Sequence, residues 1–102
     1  FQNTKFELAA CQADVDAAEA VVDRAMEADD LGELTPADAA KAKLFCTEVA
    51  ARVIDRCLQL HGGYGYINEY PIARLYADNR VTRIYGGTSE VMKMIIAKDM
   101  GL

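Results

Sequence analysis

Residues 35–63, TPADAAKAKLFCTEVAARVIDRCLQLHGG, decide the fold. Thr35 stands where a helix N-cap belongs, with a side-chain oxygen able to accept from an early backbone N–H. Pro36 follows at the first helical position, where its missing N–H is no loss. Asp38 lies at the third, an aspartate version of the capping box. From there Ala42, Cys46, Val49, Val53, Cys57 and Leu60 recur every three or four residues, which places them on one helical face. Gly62-Gly63 end the pattern, because glycine tolerates the left-handed conformation of a helix C-cap. These signals bracket a helix over about 36–61.

Upstream, Leu8, Cys11, Val15, Ala18, Val22 and Ala25 repeat the same spacing, and no Pro or Gly intervenes before Gly32. A helix over roughly 3–29 follows. Asp14, Asp16, Glu19, Asp23 and Glu27 fall off that stripe. Ala10, Ala13, Ala17 and Val21 form a second, small-residue face that admits another close neighbour. Asp29 to Glu33 reads as a turn, so the two long helices lie antiparallel.

Downstream the texture changes. His61 to Tyr66 is a glycine- and tyrosine-rich loop. Pro71 opens a short helix over about 71–80, with Ile72, Leu75, Tyr76 and Asn79 on one face. A second loop carries Ile84-Tyr85-Gly86-Gly87. Thr88 caps a final helix that runs to about Asp99, with Val91, Met92, Ile95 and Ile96 facing inward. The expected fold is all-α, an antiparallel helical bundle of two long and two shorter helices.

Composition sets the outer limits. At 102 residues the chain is below the ~150 typical of one domain, so it is one small domain or a piece of a longer protein. Apolar residues make up 52 % and charged residues 26 %, a globular balance that excludes disorder by composition. No apolar run approaches the ~20 residues a membrane span requires. Phe1-Gln2-Asn3 lacks the pattern of a secretory signal. The net charge of −5 argues against nucleic acid as a partner. Acids crowd residues 1–40, whereas bases outnumber acids in 41–102. Either the first helix carries a solvated acidic face, or the second part lies near an anionic ligand. Cys11, Cys46 and Cys57 are odd in number, form no C-x-x-C pair and sit on apolar stripes. They read as small buried hydrophobes in a reducing compartment. The single histidine, His61, and the ligand spacings exclude a zinc site.

Two loops could carry chemistry. The segment 61–66 is neither a P-loop nor a dinucleotide fingerprint, since no Gly-Lys-Ser/Thr and no third glycine follow. It is either a plain helix-ending turn or an open backbone surface that a phosphate can approach. Gly86-Gly87 precede a helix start, where free N–H groups and the dipole favour negative charge. That segment, taken alone, reads as a cap before it reads as a site.

Together the pieces are more specific. Gln59-Leu60-His61-Gly62-Gly63-Tyr64-Gly65-Tyr66, Glu69-Tyr70-Pro71-Ile72-Ala73-Arg74, Asp78 and Ile84-Tyr85-Gly86-Gly87-Thr88-Ser89-Glu90 resemble the C-terminal helical domain of the acyl-CoA dehydrogenases. Phe1 to Ala9 is similar to the start of a long helix of that domain. The resemblance covers essentially the whole chain and implies a fragment of a larger flavoprotein. The first helix of the C-terminal four-helix bundle, an N-terminal helical domain and a middle β domain would lie outside it. It further implies FAD as cofactor, an acyl-CoA substrate oxidised to a trans-2-enoyl-CoA, an electron-transfer flavoprotein as acceptor and a homo-oligomer, dimer or tetramer. The bacterial cytoplasm or the mitochondrial matrix is the implied location.

Residue by residue, the resemblance places Phe1, Gln2, Gln59, Leu60, His61, Gly62, Gly63, Thr88, Ser89 and Glu90 against FAD. It sets Tyr85, Gly86 and Gly87 beside the acyl thioester. In many members the position of Gly86 holds Glu, the catalytic base. Glycine takes no proton, so no catalytic side chain is expected in this chain, and the base is expected on a helix upstream of Phe1, as in the long-chain and isovaleryl types. The Gly86 N–H can still donate to the thioester carbonyl and stabilise an enolate. A homologous flavin oxidase or hydroxylase, or a flavin-free oligomerisation module, are the alternatives.

Overall fold

The computed structural model describes all residues, 1–102. It contains α1 (Gln2–Asp30), α2 (Pro36–His61), a 3-10 helix (Gly62–Tyr66), α3 (Pro71–Asn79), a second 3-10 helix (Arg80–Arg83) and α4 (Ser89–Asp99), with no strand. The all-α expectation holds, and both long helices extend over the residues their patterns marked.

Local chemistry fixes the ends. The Thr35 side chain accepts from the Asp38 N–H at 3.1 Å, as the cap requires. The reciprocal half of a capping box does not form, because the Asp38 carboxylate turns to Lys41 at 3.8 Å instead. α1 ends at Gly32, whose φ of +71° lets the Glu33 N–H return to the Ala28 carbonyl at 2.8 Å, a Schellman closure. α2 ends at Gly62 with φ +61° and ψ −136°, a region essentially reserved for glycine.

α1 and α2 pair antiparallel, because contacts that climb α2 descend α1. The Cys46 thiol donates to the Ala18 carbonyl at 3.7 Å. Arg52 lies 3.8 Å from Asp14, and Arg56 lies 3.5 Å from Asp14 and 3.8 Å from Glu7. Part of the acidic excess of α1 is thus matched by arginines of α2. These pairs are partly exposed, so each contributes at most ~1 kcal/mol; what they settle is register.

α2 is the hub, packing against α1 on one side and α3 and α4 on others. The core is thin. Cys11, Ala37, Ala40, Val49 and Met92 are its buried apolar residues, and no large side chain is fully enclosed. The α1 stripe is only half covered, with Leu8 50 % and Val22 40 % exposed. Val15, Ala18 and Val22 of α1 and Cys46, Val49, Ala50, Val53 and Ile54 of α2 line an open apolar groove of about 390 Å³.

Two local details sharpen these readings and one is corrected. Residues 62–66 form a 3-10 turn rather than an open loop. Gly65 is buried there, and a Cβ on it would stand 2.7 Å from the Leu58 carbonyl oxygen. The third helix stops at Asn79, where the chain tightens into the 3-10 turn 80–83. On α4, Met92 is buried and Ile95 and Ile96 half-buried, but Val91 is 42 % exposed. Val91 lies at the outer edge of a face whose centre is Met92.

Candidate functional site

The candidate residues fall into two groups on the hub helix. The first is at the C-terminal end of α2. Gln59, His61, Gly62 and Gly63 are exposed there and Leu60 is half-buried. The antiparallel register brings exposed Phe1 and Gln2 to this same end. The His61 Nδ1 lies 2.7 Å from the Cys57 carbonyl oxygen. A carbonyl only accepts, so Nδ1 carries a proton in this contact. No atom of the chain approaches within 4 Å of where a Cβ would stand on Gly62 or Gly63. The positive φ accounts for a glycine at 62, but Gly63 has no such constraint. Its missing side chain leaves the space beside its backbone open.

The second group is the segment 85–90, seated against the first half of α2. Lys43 reaches across from α2 and donates through Nζ to the Tyr85 carbonyl at 2.6 Å and to the Gly87 carbonyl. Its ammonium also lies 5.9 Å from the centre of the Tyr85 ring, within cation–π range. Gly86 and Gly87 have φ of +63° and +107°, and a Cβ on Gly87 would meet the Met92 Cε at 2.6 Å. The main-chain N–H groups of Gly86, Gly87 and Thr88 donate to no group of the chain. Two carbonyls here, of Tyr85 and Gly87, are engaged and three consecutive donors are free, the polarity suited to an anion or a polarised carbonyl oxygen.

At the start of α4 the Thr88 oxygen accepts from the Val91 N–H at 3.2 Å, which leaves its own O–H to donate outward. Ser89 is buried, and its hydroxyl donates to the Glu48 carboxylate at 3.1 Å. Its side chain is thus engaged inside the chain. The Arg83 guanidinium lies 3.4 Å from the other Glu48 oxygen, while the Arg83 Nε is buried without a partner. Glu48 complements the positive end of α4 from below, and Glu90 projects outward, exposed.

The two groups are not brought together. Lys43 and Gln59 are sixteen residues apart on one helix, so ~24 Å separates them at 1.5 Å per residue. Any single molecule contacting both must be long, or the two ends must serve different ligands. Lys43, Glu48 and Arg83 were not singled out from the sequence. Their partners lie 35 to 44 residues away along the chain, and periodicity carries no trace of such pairings. Burial pushes the Cys46 and Cys57 thiols above their ordinary value, Cys57 also through Cys11 beside it. They stay protonated and unreactive. No cluster of three or more potential metal ligands is present.

The family model described as acyl-CoA dehydrogenase, C-terminal domain, matches residues 1–101. The chain belongs to this family. It is 45 % identical over 98 % of its length to a 3-(aryl)acrylate reductase of Clostridium sporogenes, of which it spans 26 %. It is 40 % identical over 97 % of its length to a mitochondrial long-chain specific acyl-CoA dehydrogenase of Rattus norvegicus, spanning 23 % of that protein. The crystal structure of an acyl-CoA dehydrogenase from Geobacillus kaustophilus superposes with a TM-score of 0.96 at 43 % identity, over 100 % of this chain and 27 % of that one. The chain therefore spans about a quarter of the length of these relatives. No helix is long and apolar enough to cross a membrane.

Proposed function

We propose that this chain is the C-terminal part of a longer FAD-dependent dehydrogenase that converts an acyl-CoA into its trans-2-enoyl-CoA and passes electrons to an electron-transfer flavoprotein. One observation supports this above all. The carbonyls of Tyr85 and Gly87 are tied to Lys43 while the N–H groups of Gly86, Gly87 and Thr88 are free, the arrangement a thioester oxygen needs as negative charge develops on it.

The residues also suit the cofactor. Gly62 and Gly63 offer backbone that a flat or extended group can approach without meeting a Cβ. Phe1, Gln2, Gln59, Leu60, His61, Gly62 and Gly63 would hold one part of FAD. Thr88, Ser89 and Glu90 would hold another, Ser89 through its main chain because its hydroxyl is engaged by Glu48. The ~24 Å between the two ends fits them to different cofactor molecules, or to distant parts of one, in a homo-oligomer. When bound, FAD supplies the acceptor for hydride from the substrate β-carbon. Within this chain, the Gly86 N–H donates to the thioester carbonyl and lowers the cost of removing the α-proton. Gly86 has no group to take that proton, so the base comes from elsewhere in the longer protein.

The Clostridium relative named as a reductase supports a second reading, in which the same donors polarise a 2-enoyl substrate for reduction. The test is anaerobic titration of the full-length protein. Bound FAD bleached by butyryl-, octanoyl- or palmitoyl-CoA is the expected result. A protein that holds no flavin, or whose flavin no acyl-CoA reduces, refutes the dehydrogenase reading. Re-oxidation of chemically reduced flavin by an enoyl-CoA, without bleaching by any acyl-CoA, selects the reductase.

A further inference from the structure

We propose that Lys43 is a positioning residue for the thioester-binding donors, a role that rests on the acyl-CoA reading above. Lys43 stands on α2, half-buried, and its ammonium donates to two carbonyls of one short segment, Tyr85 and Gly87. A peptide unit is planar and trans, so its C=O and the following N–H point in opposite directions. Holding the Tyr85 carbonyl down onto Lys43 therefore aims the Gly86 N–H up and away from α2. Holding the Gly87 carbonyl does the same for the Thr88 N–H. One side chain thus sets the direction of two donors, and both are among the N–H groups that no atom of the chain uses.

The backbone here has little else to fix it. Gly86 and Gly87 both have positive φ, and glycine moves between conformations more freely than any other residue. The anchors on either side are the N–H bonds of Ile84 and Tyr85 to Val81 and the Thr88 cap. Between them, Lys43 is the only side chain that bonds the segment. Its charge acts as well, since an ammonium on a carbonyl oxygen polarises that peptide and strengthens the opposite N–H as a donor. A donor held in place before reaction contributes ~10²–10³ in rate, and a displacement of about 1 Å removes on the order of 10².

The experiment compares the full-length protein with its Lys43→Met and Lys43→Arg variants. Flavin reduction by butyryl-, octanoyl- and palmitoyl-CoA gives rate and apparent affinity. Difference infrared spectroscopy reads the thioester carbonyl stretch of the bound enoyl-CoA product. Lys43→Met is expected to retain FAD and to bind acyl-CoA within about threefold, yet to reduce flavin ~10–100-fold more slowly. Its carbonyl stretch should move toward that of the free thioester. Lys43→Arg, which keeps charge and donors, should recover part of both. If Lys43→Met unfolds, Lys43→Gln takes its place, keeping one donor without the charge. Wild-type rate and carbonyl stretch in the neutral variant overturn the role of Lys43 while leaving the acyl-CoA reading intact. So does an equal fall in rate in both variants that tracks lost thermal stability. A wild-type protein whose flavin no acyl-CoA reduces overturns the acyl-CoA reading, and this role with it.

Discussion

Gly63 and Gly65 lie two residues apart in the same turn, and alanine at each should have opposite consequences. At Gly63 the backbone has no positive φ, and the space where a Cβ would stand is empty to 4 Å. Gly63→Ala should therefore leave the folded chain unstrained. By restricting the unfolded chain it should stabilise by ~0.4–1 kcal/mol. At Gly65 a Cβ would lie 2.7 Å from the Leu58 carbonyl oxygen and 2.9 Å from the Leu58 Cγ. The first of these is backbone of the hub helix and cannot swing aside. Overpacking of this kind costs ~1–3 kcal/mol, so the two variants should differ by ~1.5–4 kcal/mol in stability.

Urea unfolding of the 102-residue chain, followed by circular dichroism, reads that difference. FAD titration of the flavin-stripped full-length protein reads the other half of the argument. If Gly63 is glycine because the cofactor approaches its backbone, Gly63→Ala should weaken FAD at least tenfold while unfolding no more easily than wild type. Unchanged FAD affinity in Gly63→Ala would falsify the cofactor role assigned to that end of α2. Equal destabilisation by the two variants would show that the geometry of the turn has been misread.

Gly86→Glu should cost ~1–2 kcal/mol of stability, because position 86 has φ +63°, a conformation other residues adopt at a penalty. The new Cβ would stand 4.0 Å from the Lys43 Nζ, close enough for the ammonium to favour the carboxylate form; in a full-length protein whose proposed upstream base has been removed, this variant should restore part of the lost flavin-reduction rate, and no recovery would refute that placement of the base. Glu48→Gln weakens the side-chain bonds that tie Arg83 and Ser89 to α2 and should cost about 1–2 kcal/mol in urea unfolding, a figure that Arg83→Met should not add to if the two act as a pair. Because burial raises the Cys46 and Cys57 thiols above their ordinary value of 9.0, their contribution to stability is complete below that pH and declines as pH rises through the raised values. The urea midpoint should fall on the alkaline side of pH 9.0, and the Cys46→Ala, Cys57→Ala double variant should show a shallower fall.

What the sequence made legible was local chemistry. Thr35-Pro36 and Thr88 announced helix starts that the structure reproduces, with each threonine oxygen accepting from the expected N–H, because a cap is decided within four residues. The two long stripes announced antiparallel pairing, since a short turn between long helices leaves no other arrangement. Gly65 was not read, although it is the glycine the turn requires for packing. Its constraint comes from Leu58, one turn back on α2, and only the bend at Gly62 brings that carbonyl near. The charges on α2 were opaque for the same reason. Lys43 and Glu48 look like ordinary solvated residues until α4 is laid across the helix.

The thin core and the divided site have one physical origin. α2 carries apolar residues around much of its surface, and its three neighbours cover only part of them. The groove between α1 and α2 stays open, with Val15, Val22, Val49, Val53 and Ile54 along it, while exposed Phe1 and Phe6 extend the apolar surface of α1. A monomer seldom leaves so much apolar surface bare. The candidate ligand-contacting ends follow the same logic, because each offers open backbone or unpaired donors facing away from the hub. A chain spanning a quarter of its relatives' length, with an uncovered apolar face and two outward-facing half-sites ~24 Å apart, has the properties of one wall of an assembly. If its stability and its chemistry are completed from outside, as the proposed function requires, variants at the two ends of α2 should act on ligand binding independently, while variants along the groove should act on association.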